Sequence, residues 1–472
     1  MGDTALVAAK LLIKVSDLIA KHSGKAFSTK KGQRTSELQD AGNELRERFG
    51  SDVLSQFIIK EIAINRKTSN QANAGQVNLA NNSPRRHVTI IDSLKHPDEA
   101  SLFQAVYGKM FYLFGVLCPE DIRIKRLIRS DSFTRQKAIA AIERDTSEDI
   151  KHGQQMLKIL YHSDFFVNNY KDTPRLAERA ITRFIELILG SISFTPTVDE
   201  YAMHAAQSSS LRSACLSRQV GAAIISKDGD LVATGRNDVP RSGGGLYTAE
   251  DGTEDYRCAM RSEQMCMSDT EKRKVSEEIT ELLRTRFKIL NKDDLDNVYN
   301  DISSLPRLKG LIEFSRAIHA EMDAIINCAR NGGPSLKGAT LYCTTFPCHH
   351  CARHIVATGI VKVVYIEPYE KSLAKILHSD SLQTDIECNV HQDKVCIVPF
   401  EGVSPKQYMQ LFKVEERKID GKMKSQALSQ SKPAVPKFLN TYVEFEAKVV
   451  EYLAQSQPVN PPCQPGENNP CH

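Results

Sequence analysis

Apolar positions in the first 190 residues switch between helical and strand-like spacing. Between residues 6 and 19 they recur at helical spacing, which predicts that the chain opens on a helix, and a second helical pattern covers about residues 35–65. The polar stretch after it is typical of an exposed loop. Short apolar runs predict β-strands at residues 87–92, 110–118 and 164–168. Helices and strands in this order favour an α/β layer with a mostly parallel sheet.

The pattern changes after about residue 200. Residues 220–226 and 231–236 flank a Lys-Asp-Gly-Asp turn and predict a β-hairpin. Residues 241–316 form a long polar insertion that contains a charged helical segment. Beyond it the spacing predicts a helix, a strand, a helix and a strand, at residues 319–331, 339–345, 348–358 and 362–366. A hairpin followed by this alternation predicts an α/β/α sandwich.

These patterns divide the chain into five segments. We expect one α/β domain in residues 1–190, a linker in residues 191–200, and a second domain in residues 201–400 that carries the insertion. A C-terminal helical extension follows in residues 401–453, with an amphipathic helix near its end. The last segment, residues 454–472, is rich in Pro and Asn, and we expect it to be a disordered tail.

Composition narrows the class of protein. The chain has 472 residues, 41% of them hydrophobic, which suits two or three folded domains. Its net charge of +4 is too small for a dedicated nucleic-acid or membrane-surface binder. No stretch approaches the roughly 18 uncharged residues of a membrane helix. Twelve cysteines are too few for a disulfide framework, so we expect a cytoplasmic protein without a membrane partner, whose thiols bind metal or do chemistry.

The strongest chemical signal is a pair of short motifs, His319-Ala320-Glu321 and Pro347-Cys348-His349-His350-Cys351. Each motif lies where the chain enters a predicted helix. Cys348 and Cys351 are three residues apart and share one face of the first helical turn, so both thiolates can bind one metal ion. His319 supplies a third ligand from the other helix. Three protein ligands with an open fourth position predict one catalytic Zn²⁺ site.

Glu321 completes the predicted chemistry. It lies two residues from His319, and we expect it to reach the water at the metal and to move protons, without binding the metal itself. This arrangement matches the H-x-E and P-C-x-x-C signature of zinc-dependent base deaminases. The predicted reaction is hydrolytic deamination, in which Glu321 protonates N3 of a cytosine and ammonia leaves. The other thiols and imidazoles of this region, Cys328, Cys343, His349, His350 and His354, are interpreted as packing or surface residues.

Longer segments narrow the family. The runs SACLSRQVGA, GRNDVP, HAEMDAIINCARNG and ATLYCTTFPCHHCARHIVATGIVKVVYIEPY, within residues 200–400, resemble the deoxycytidylate deaminase family. The resemblance implies that Asn237 holds the deoxyribose hydroxyl. It also implies a base pocket and phosphate contacts; the pocket residues are Val220, Gly221, Ala222, Ala320, Thr344 and Thr345, and the phosphate contacts are Arg218, Tyr369 and Lys371. Some members hold a second zinc, near which Cys215, Cys258 and Cys266 would lie, but no full ligand set emerges.

Residues 30–190 resemble the later parts of P-loop nucleotide-kinase domains, on segments such as TSELQDAGNELRERFGSD and HVTIIDSLKHPDEASLF. The G-x-x-x-x-G-K-[ST] motif that cradles phosphates does not occur in the sequence. Either the opening strand and loop lie upstream of Met1, or this domain does not handle nucleoside triphosphates. The expected fold class is therefore α/β, with a cytidine-deaminase-like α/β/α sandwich preceded by a degenerate or truncated P-loop-kinase-like domain.

This combination of domains is similar to bacterial anti-phage dCTP deaminases, which convert dCTP and dCMP to dUTP and dUMP. The resemblance implies deoxycytidine nucleotides as substrates, a deoxynucleotide effector, a homo-oligomer and an inhibitory RNA partner. Two alternatives stay open. One is a deaminase of cytosine or adenosine within RNA or DNA, although the chain is nearly charge-balanced and has no Trp for base stacking. The other is a nucleotide-sensing module that keeps the deaminase core as a scaffold.

Overall fold

The fold is mixed α/β throughout, as predicted. A computed structural model describes residues 9–72, 87–131, 133–146, 154–169, 174–287, 292–369, 372–384, 394–414, 416–423 and 441–456. Lys371, the polar stretch after residue 72 and the chain after residue 456, with Cys463, Cys471 and His472, lie outside these residues. The polar loop was expected from residue 67 and the tail from residue 454, but residues 67–72 and 454–456 are helical. Among the described helices, none is both long and apolar enough to cross a membrane.

The N-terminal part is built from four short strands surrounded by helices. β1 (Ala9–Ile13) pairs in parallel with β2 (His87–Ile91), and β3 (Phe114–Leu117) pairs in parallel with β4 (Phe165–Asn168). The two pairs belong to separate sheets within the described residues, where one mostly parallel sheet was expected. The helices are α1 (Val15–Ser23), α2 (Lys31–Phe49), α3 (Val53–Ala72), α4 (Pro97–Tyr107), α5 (Glu120–Asp131), α6 (Arg135–Thr146), α7 (Met156–Leu160) and α8 (Pro174–Ile188).

Two predictions for this part are wrong in detail. The chain enters the described region on a strand, because residues 9–13 complete their backbone hydrogen bonds with β2, 78 residues further along. The helical spacing of apolar residues becomes a helix only from Val15 onward. The single long helix expected at residues 35–65 is two helices, since Gly50 adopts a φ of +106° that ends α2.

The second part is a six-stranded sheet with helices on both faces, as the α/β/α prediction requires. Its strands stand in the order β6-β5-β7-β8-β10-β9, and the hairpin of β5 and β6 is antiparallel while β7, β8, β10 and β9 run parallel. The bounds are β5 (Gly221–Ile225), β6 (Leu231–Arg236), β7 (Thr340–Thr345), β8 (Lys362–Glu367), β9 (Leu382–Gln383) and β10 (Val395–Pro399); the helices are α9 (Val198–Ser210), α13 (Ala320–Arg330), α14 (His349–Ala357) and α15 (Ala374–Leu377).

Alternation along β5 shows how the two faces are filled. Ala222 and Ile224 pack with α13 and α14 in one core, whereas Ala223 and Ile225 pack with α9 in the other. All four side chains are buried, which is expected of a strand covered on both faces. The sheet therefore fixes α13 and α14, which begin at the two chemical motifs, on the same side.

The insertion lies between β6 and α13. Two 3₁₀ turns, Ala249–Glu254 and Cys258–Met260, lead into three helices: α10 (Met267–Phe287), α11 (Lys292–Ser304) and α12 (Pro306–Lys309). α10 includes most of the charged helix that the sequence predicts. Residues 311–318 then return the chain to α13.

Segments after β10 return to the N-terminal part. β11 (Gly402–Val403) adds antiparallel to β4, and Phe400 packs on Phe166 in the α9 core. α17 (Thr441–Ser456), the amphipathic helix predicted near the C-terminus, packs on α3 and α4. Arg66 of α3 and Tyr107 of α4 donate hydrogen bonds to Glu446. The remaining elements are α16 (Tyr408–Phe412), β12 (Lys418–Ile419) and β13 (Lys422–Met423).

Gly235 lets α13 approach the sheet closely. A Cβ atom there would lie 2.2 Å from the Ala320 carbonyl oxygen and 2.3 Å from the Ala324 nitrogen, both backbone atoms. We expect Gly235→Ala to lower the free energy of unfolding by about 1–3 kcal/mol or more, because the helix must move away. Urea unfolding measures this change. Gly42→Ala is the control, since its Cβ would be no closer than 3.4 Å to any neighbour; equal stability of the two variants would contradict this packing.

Candidate active site

The chemical motifs meet at the N-terminal ends of α13 and α14. His319 is the N-cap residue of α13, and Cys348 is the N-cap residue of α14. The His319 Nδ1 atom lies 3.2 Å from the Cys348 Sγ and 3.3 Å from the Cys351 Sγ. The Cys351 backbone N–H points at the Cys348 Sγ from 3.4 Å, so the helix turn itself holds the two sulfurs side by side. One imidazole nitrogen and two sulfurs therefore converge on one point.

This group fits a zinc ion. Zn–S bonds of about 2.3 Å and Zn–N bonds of about 2.0 Å in tetrahedral geometry place nitrogen and sulfur roughly 3.5 Å apart, close to the distances found here. The three ligand atoms lie within 4.8 Å of one another, and both cysteines are buried. Soft thiolates with one imidazole are the donor set of catalytic zinc sites that keep a position open.

Electrostatics prepare one of the three ligands, Cys348, whereas the pKa values of His319 and Cys351 are raised. A hydrogen bond from Cys351 lowers the pKa of the Cys348 thiol to about 3, against the effect of burial and with the help of His319. Burial alone would lower the pKa of His319, but Cys348 and Glu321 raise it to about 9. Cys348 is therefore a thiolate at neutral pH, which is the form that binds a metal.

Glu321 is the second residue of α13 and is 4% exposed. Burial raises its pKa, while the charge of His319 opposes that shift. A carboxyl group with a raised pKa is suited to take up and release protons near neutral pH. Cys343, on β7, is fully buried near this carboxyl group, and burial raises its pKa well above the ordinary value. Cys328 is also buried, so both thiols pack as predicted.

Asn237 follows β6 in a turn that touches the zinc-ligand group. Its Oδ1 accepts a hydrogen bond from the Val220 backbone N–H (2.7 Å), and its Nδ2 donates to the Arg218 carbonyl oxygen (2.8 Å). The next residue, Asp238, forms an isolated β-bridge with Ile318, directly before His319. This pairing places a fixed amide beside the metal ligands. Each end of that amide keeps capacity for one more hydrogen bond.

A buried ion-pair network holds this turn, and sequence patterns did not reveal it. Arg257, in the insertion, is 5% exposed; its Nε donates to Asp255 Oδ1 (2.9 Å) and its Nη1 lies 3.6 Å from Asp238 Oδ2. Asp238 also accepts hydrogen bonds from the Ala214 and Val239 backbone N–H groups. Arg257 and Asp255 are two residues apart, but Asp238 lies 19 residues before Arg257, so side-chain spacing does not indicate this contact.

We expect Arg257→Met to weaken both the fold and the turn that carries Asn237. Breaking a buried ion pair leaves Asp238 and Asp255 without their cation and costs about 3–5 kcal/mol of unfolding free energy. If the turn holds the substrate as the sequence predicts for Asn237, KM should rise more than kcat falls. Urea unfolding and steady-state kinetics check both effects. Arg261→Met, at a more exposed arginine four residues on, is the control; similar losses in the two variants would contradict the network.

A cavity of about 340 Å³ opens onto the zinc-ligand group. Of the residues predicted to contact substrate, those that line it are Arg218, Val220, Asn237, Ala320, Thr345 and Tyr369. Of the other predicted contacts that the structure describes, Ala222 faces the α13 core, and Thr344 accepts a hydrogen bond from the Gly221 N–H (3.1 Å). Strand alternation turns Thr344 to the face opposite Thr345. Ala222 shares the α13 face with Val220 but is buried in the core beneath the helices. Arg218 forms an ion pair with Glu367.

Two further groups of possible ligands lie nearby. Cys215, Cys258 and Cys266 all line the cavity, but they do not form a group of three within 4.8 Å, although all three are among the described residues. Glu313, His349 and His350 do form such a group, beside the start of α14. His350 Nε2 lies 3.6 Å from a Glu313 oxygen, and His354 Nδ1 lies 2.8 Å from the His350 carbonyl oxygen, so these imidazoles have partners on the surface and on their own helix.

Comparison with known proteins identifies a family for residues 196–367. The zinc-binding region of cytidine and deoxycytidylate deaminases matches residues 196–367. The deoxycytidylate deaminases of Enterobacteria phages T4 and T2 are 34% and 33% identical over 163 and 169 residues, 34% of this chain in each case and 74% and 76% of those proteins. A structure of cyanophage S-TIM5 dCMP deaminase with dCMP and dUMP aligns over 44% of this chain and 98% of its own, at 20% identity and a TM-score of 0.25. This chain belongs to the deoxycytidylate deaminase family and is a zinc-dependent nucleotide deaminase.

Proposed function

We propose that the protein hydrolyses the 4-amino group of deoxycytidine nucleotides, converting dCMP and dCTP to dUMP and dUTP with release of ammonia. The observation that carries the proposal is one cavity bordered by the zinc-ligand group, by Glu321 and by the fixed amide of Asn237. The named activity of the phage T4 and T2 relatives supports a pyrimidine deoxynucleotide as the substrate.

We assign the chemistry to the residues of the cavity. His319, Cys348 and Cys351 hold the zinc ion, which when bound lowers the pKa of a water molecule so that it is nucleophilic near neutral pH. Glu321 accepts a proton from the attacking water and delivers it to N3 of the cytosine. It then takes the second proton from the hydroxyl group now bound to C4 and transfers it to the amino group. The C4–N bond breaks, C4 keeps the oxygen as a carbonyl, and ammonia leaves. A buried carboxyl group suits both directions of transfer.

The turn after β6 and the start of β5 orient the substrate in this proposal. The free N–H and lone pair of the Asn237 amide hold the deoxyribose hydroxyl, with Val220, Ala320 and Thr345 around the base. Gly221, Ala222 and Thr344 support that wall from behind. Arg218 and Tyr369 are assigned to the first phosphate, and Lys371 joins them in the proposal by its place in the sequence.

The wider role is also a proposal. Residues 1–190 act as a P-loop-kinase-like domain without its phosphate-binding motif, joined by residues 191–200 to the catalytic domain. The full protein drains dCTP during phage infection, works as a homo-oligomer, responds to a deoxynucleotide effector and is held inactive by an RNA. The support is the order of the two sequence resemblances along one chain.

A substrate panel tests the activity. Purified protein is offered dCMP, dCTP, CMP, cytosine-containing single-stranded oligonucleotides and adenosine-containing RNA, and ammonia release is measured. We expect turnover of the two deoxycytidine nucleotides, with CMP slower and the polymers unchanged. Activity confined to the polymers would overturn the proposal, and phage infection of cells whose dCTP pool is followed over time tests the wider role.

A further inference from the structure

The cavity at the zinc-ligand group extends into the insertion, which the chemistry of deamination does not require. Its far wall includes residues 266–269 and Lys272 of α10, Lys309 at the end of α12, and residues 315–317 on the return to α13. The zinc-side wall and the insertion wall thus belong to one continuous space. The insertion therefore borders the same space as Glu321.

Positive charge is concentrated on that far wall. Lys272 and Arg316 are half-buried and Lys309 is exposed. Among the described residues, no carboxylate oxygen lies within 4.0 Å of the charged nitrogen atoms of these three side chains. Asp269 is the one acidic residue that the insertion adds to the wall. The other acidic residues there, Asp238 and Glu321, are engaged in the Arg257 network and at the metal group.

Backbone contacts hold two of these cations in place. The Lys272 Nζ donates a hydrogen bond to the Lys309 carbonyl oxygen (2.9 Å), which brings both lysines to one end of the cavity. Arg316 lies three residues before His319 along the chain, and its Nη1 donates to the Tyr256 carbonyl oxygen (3.2 Å). Both groups keep further N–H donors for a ligand.

The count of cations exceeds the needs of a monophosphate. Arg218, already paired with Glu367, and the Tyr369 hydroxyl suffice for one phosphate. The three basic side chains of the insertion wall match the additional charge of the second and third phosphates, to which arginine and lysine form strong charge-assisted hydrogen bonds.

We propose that Lys272, Lys309 and Arg316 form a polyphosphate subsite, and that the insertion makes the enzyme prefer dCTP over dCMP. This inference rests on the proposed deamination of deoxycytidine nucleotides. It gives the insertion a direct role in substrate choice. It also accounts for the position of the basic residues on the cavity wall.

The test compares substrates that differ only in phosphate number. Wild type, Lys272→Gln and Arg316→Gln are assayed with dCTP, dCMP and deoxycytidine. Loss of one charge-assisted hydrogen bond should lower kcat/KM for dCTP about ten-fold or more, through KM, with less than about a three-fold change for dCMP and none for deoxycytidine. Lys274→Gln is the matched control, because Lys274 lies on the same helix, is 56% exposed and pairs with Glu271.

Inorganic triphosphate provides a second measurement that does not depend on the variants. It should inhibit wild-type turnover of dCTP competitively, and deoxycytidine turnover only weakly. The subsite would be overturned if the two variants lost kcat/KM equally with all three substrates, or lost it with none. It would also be overturned if triphosphate inhibited the wild type non-competitively with dCTP, which would indicate a separate effector site. Wild-type turnover of deoxycytidine without a preference for dCTP would refute this inference alone, whereas no turnover of any deoxycytidine compound would refute the proposed function.

Discussion

Glu321→Gln is expected to reduce turnover by about three orders of magnitude or more while the zinc content and the fold stay unchanged. The amide keeps the shape of the side chain but cannot accept the proton of the attacking water or pass it to the ring. General acid–base groups contribute about 10²–10⁴-fold, and here one group serves both transfers. Steady-state ammonia release from dCMP and dCTP, with metal analysis of the same sample, measures the effect.

The effect should fall on kcat, because binding of the sugar and phosphates does not involve Glu321. Arg330→Gln, at an exposed residue near the end of the same helix, is the matched control and should keep full activity. A Glu321→Gln enzyme that retains zinc and more than a tenth of the wild-type kcat would show that another group moves the protons. Unchanged cellular function of this inactive, folded variant would instead favour the sensing-module alternative.

Cys348→Ser should remove both zinc and activity. Serine is a good N-cap residue, so α14 still begins at position 348 and the local fold is not the cause of the loss. The hydroxyl, however, is not ionised at neutral pH, and the thiolate that Cys351 and His319 stabilise is gone. With only two strong ligands left, we expect much weaker zinc binding, measured by inductively coupled plasma mass spectrometry after dialysis.

The control is Cys118→Ser, at a half-buried thiol in the N-terminal part far from the motifs in sequence. It should keep one zinc per chain and full turnover. If Cys348→Ser also kept its zinc and its activity, the metal would have to lie elsewhere, and the group of Glu313, His349 and His350 would be the next place to examine.

The metal site could be predicted because its geometry is local. Two cysteines three residues apart at a helix start, and a histidine at the start of another helix, need only correct helix boundaries to share a metal. Those boundaries were predicted to within one or two residues at α13 and α14. The hairpin of β5 and β6 was equally local, since a tight turn joins two apolar runs.

Features that depend on distant pairing were not predictable in the same way. β1 has helical spacing of its apolar residues and becomes a strand only because β2 completes its hydrogen bonds. β11 has two residues and joins β4 more than 230 positions away, too short for any pattern to show. Arg257 and the cationic wall of the insertion depend on where a 76-residue excursion folds back, which side-chain spacing alone does not specify.

Metal removal and return tests the central claim most directly. The protein is stripped with a chelator, zinc is added back in measured amounts, and deamination of dCMP and dCTP is followed at each step. We predict that activity is absent without metal and rises in proportion to zinc until one ion per chain is bound, with no further gain. Full activity of the metal-free protein would contradict the account, and so would zinc binding that restores no turnover.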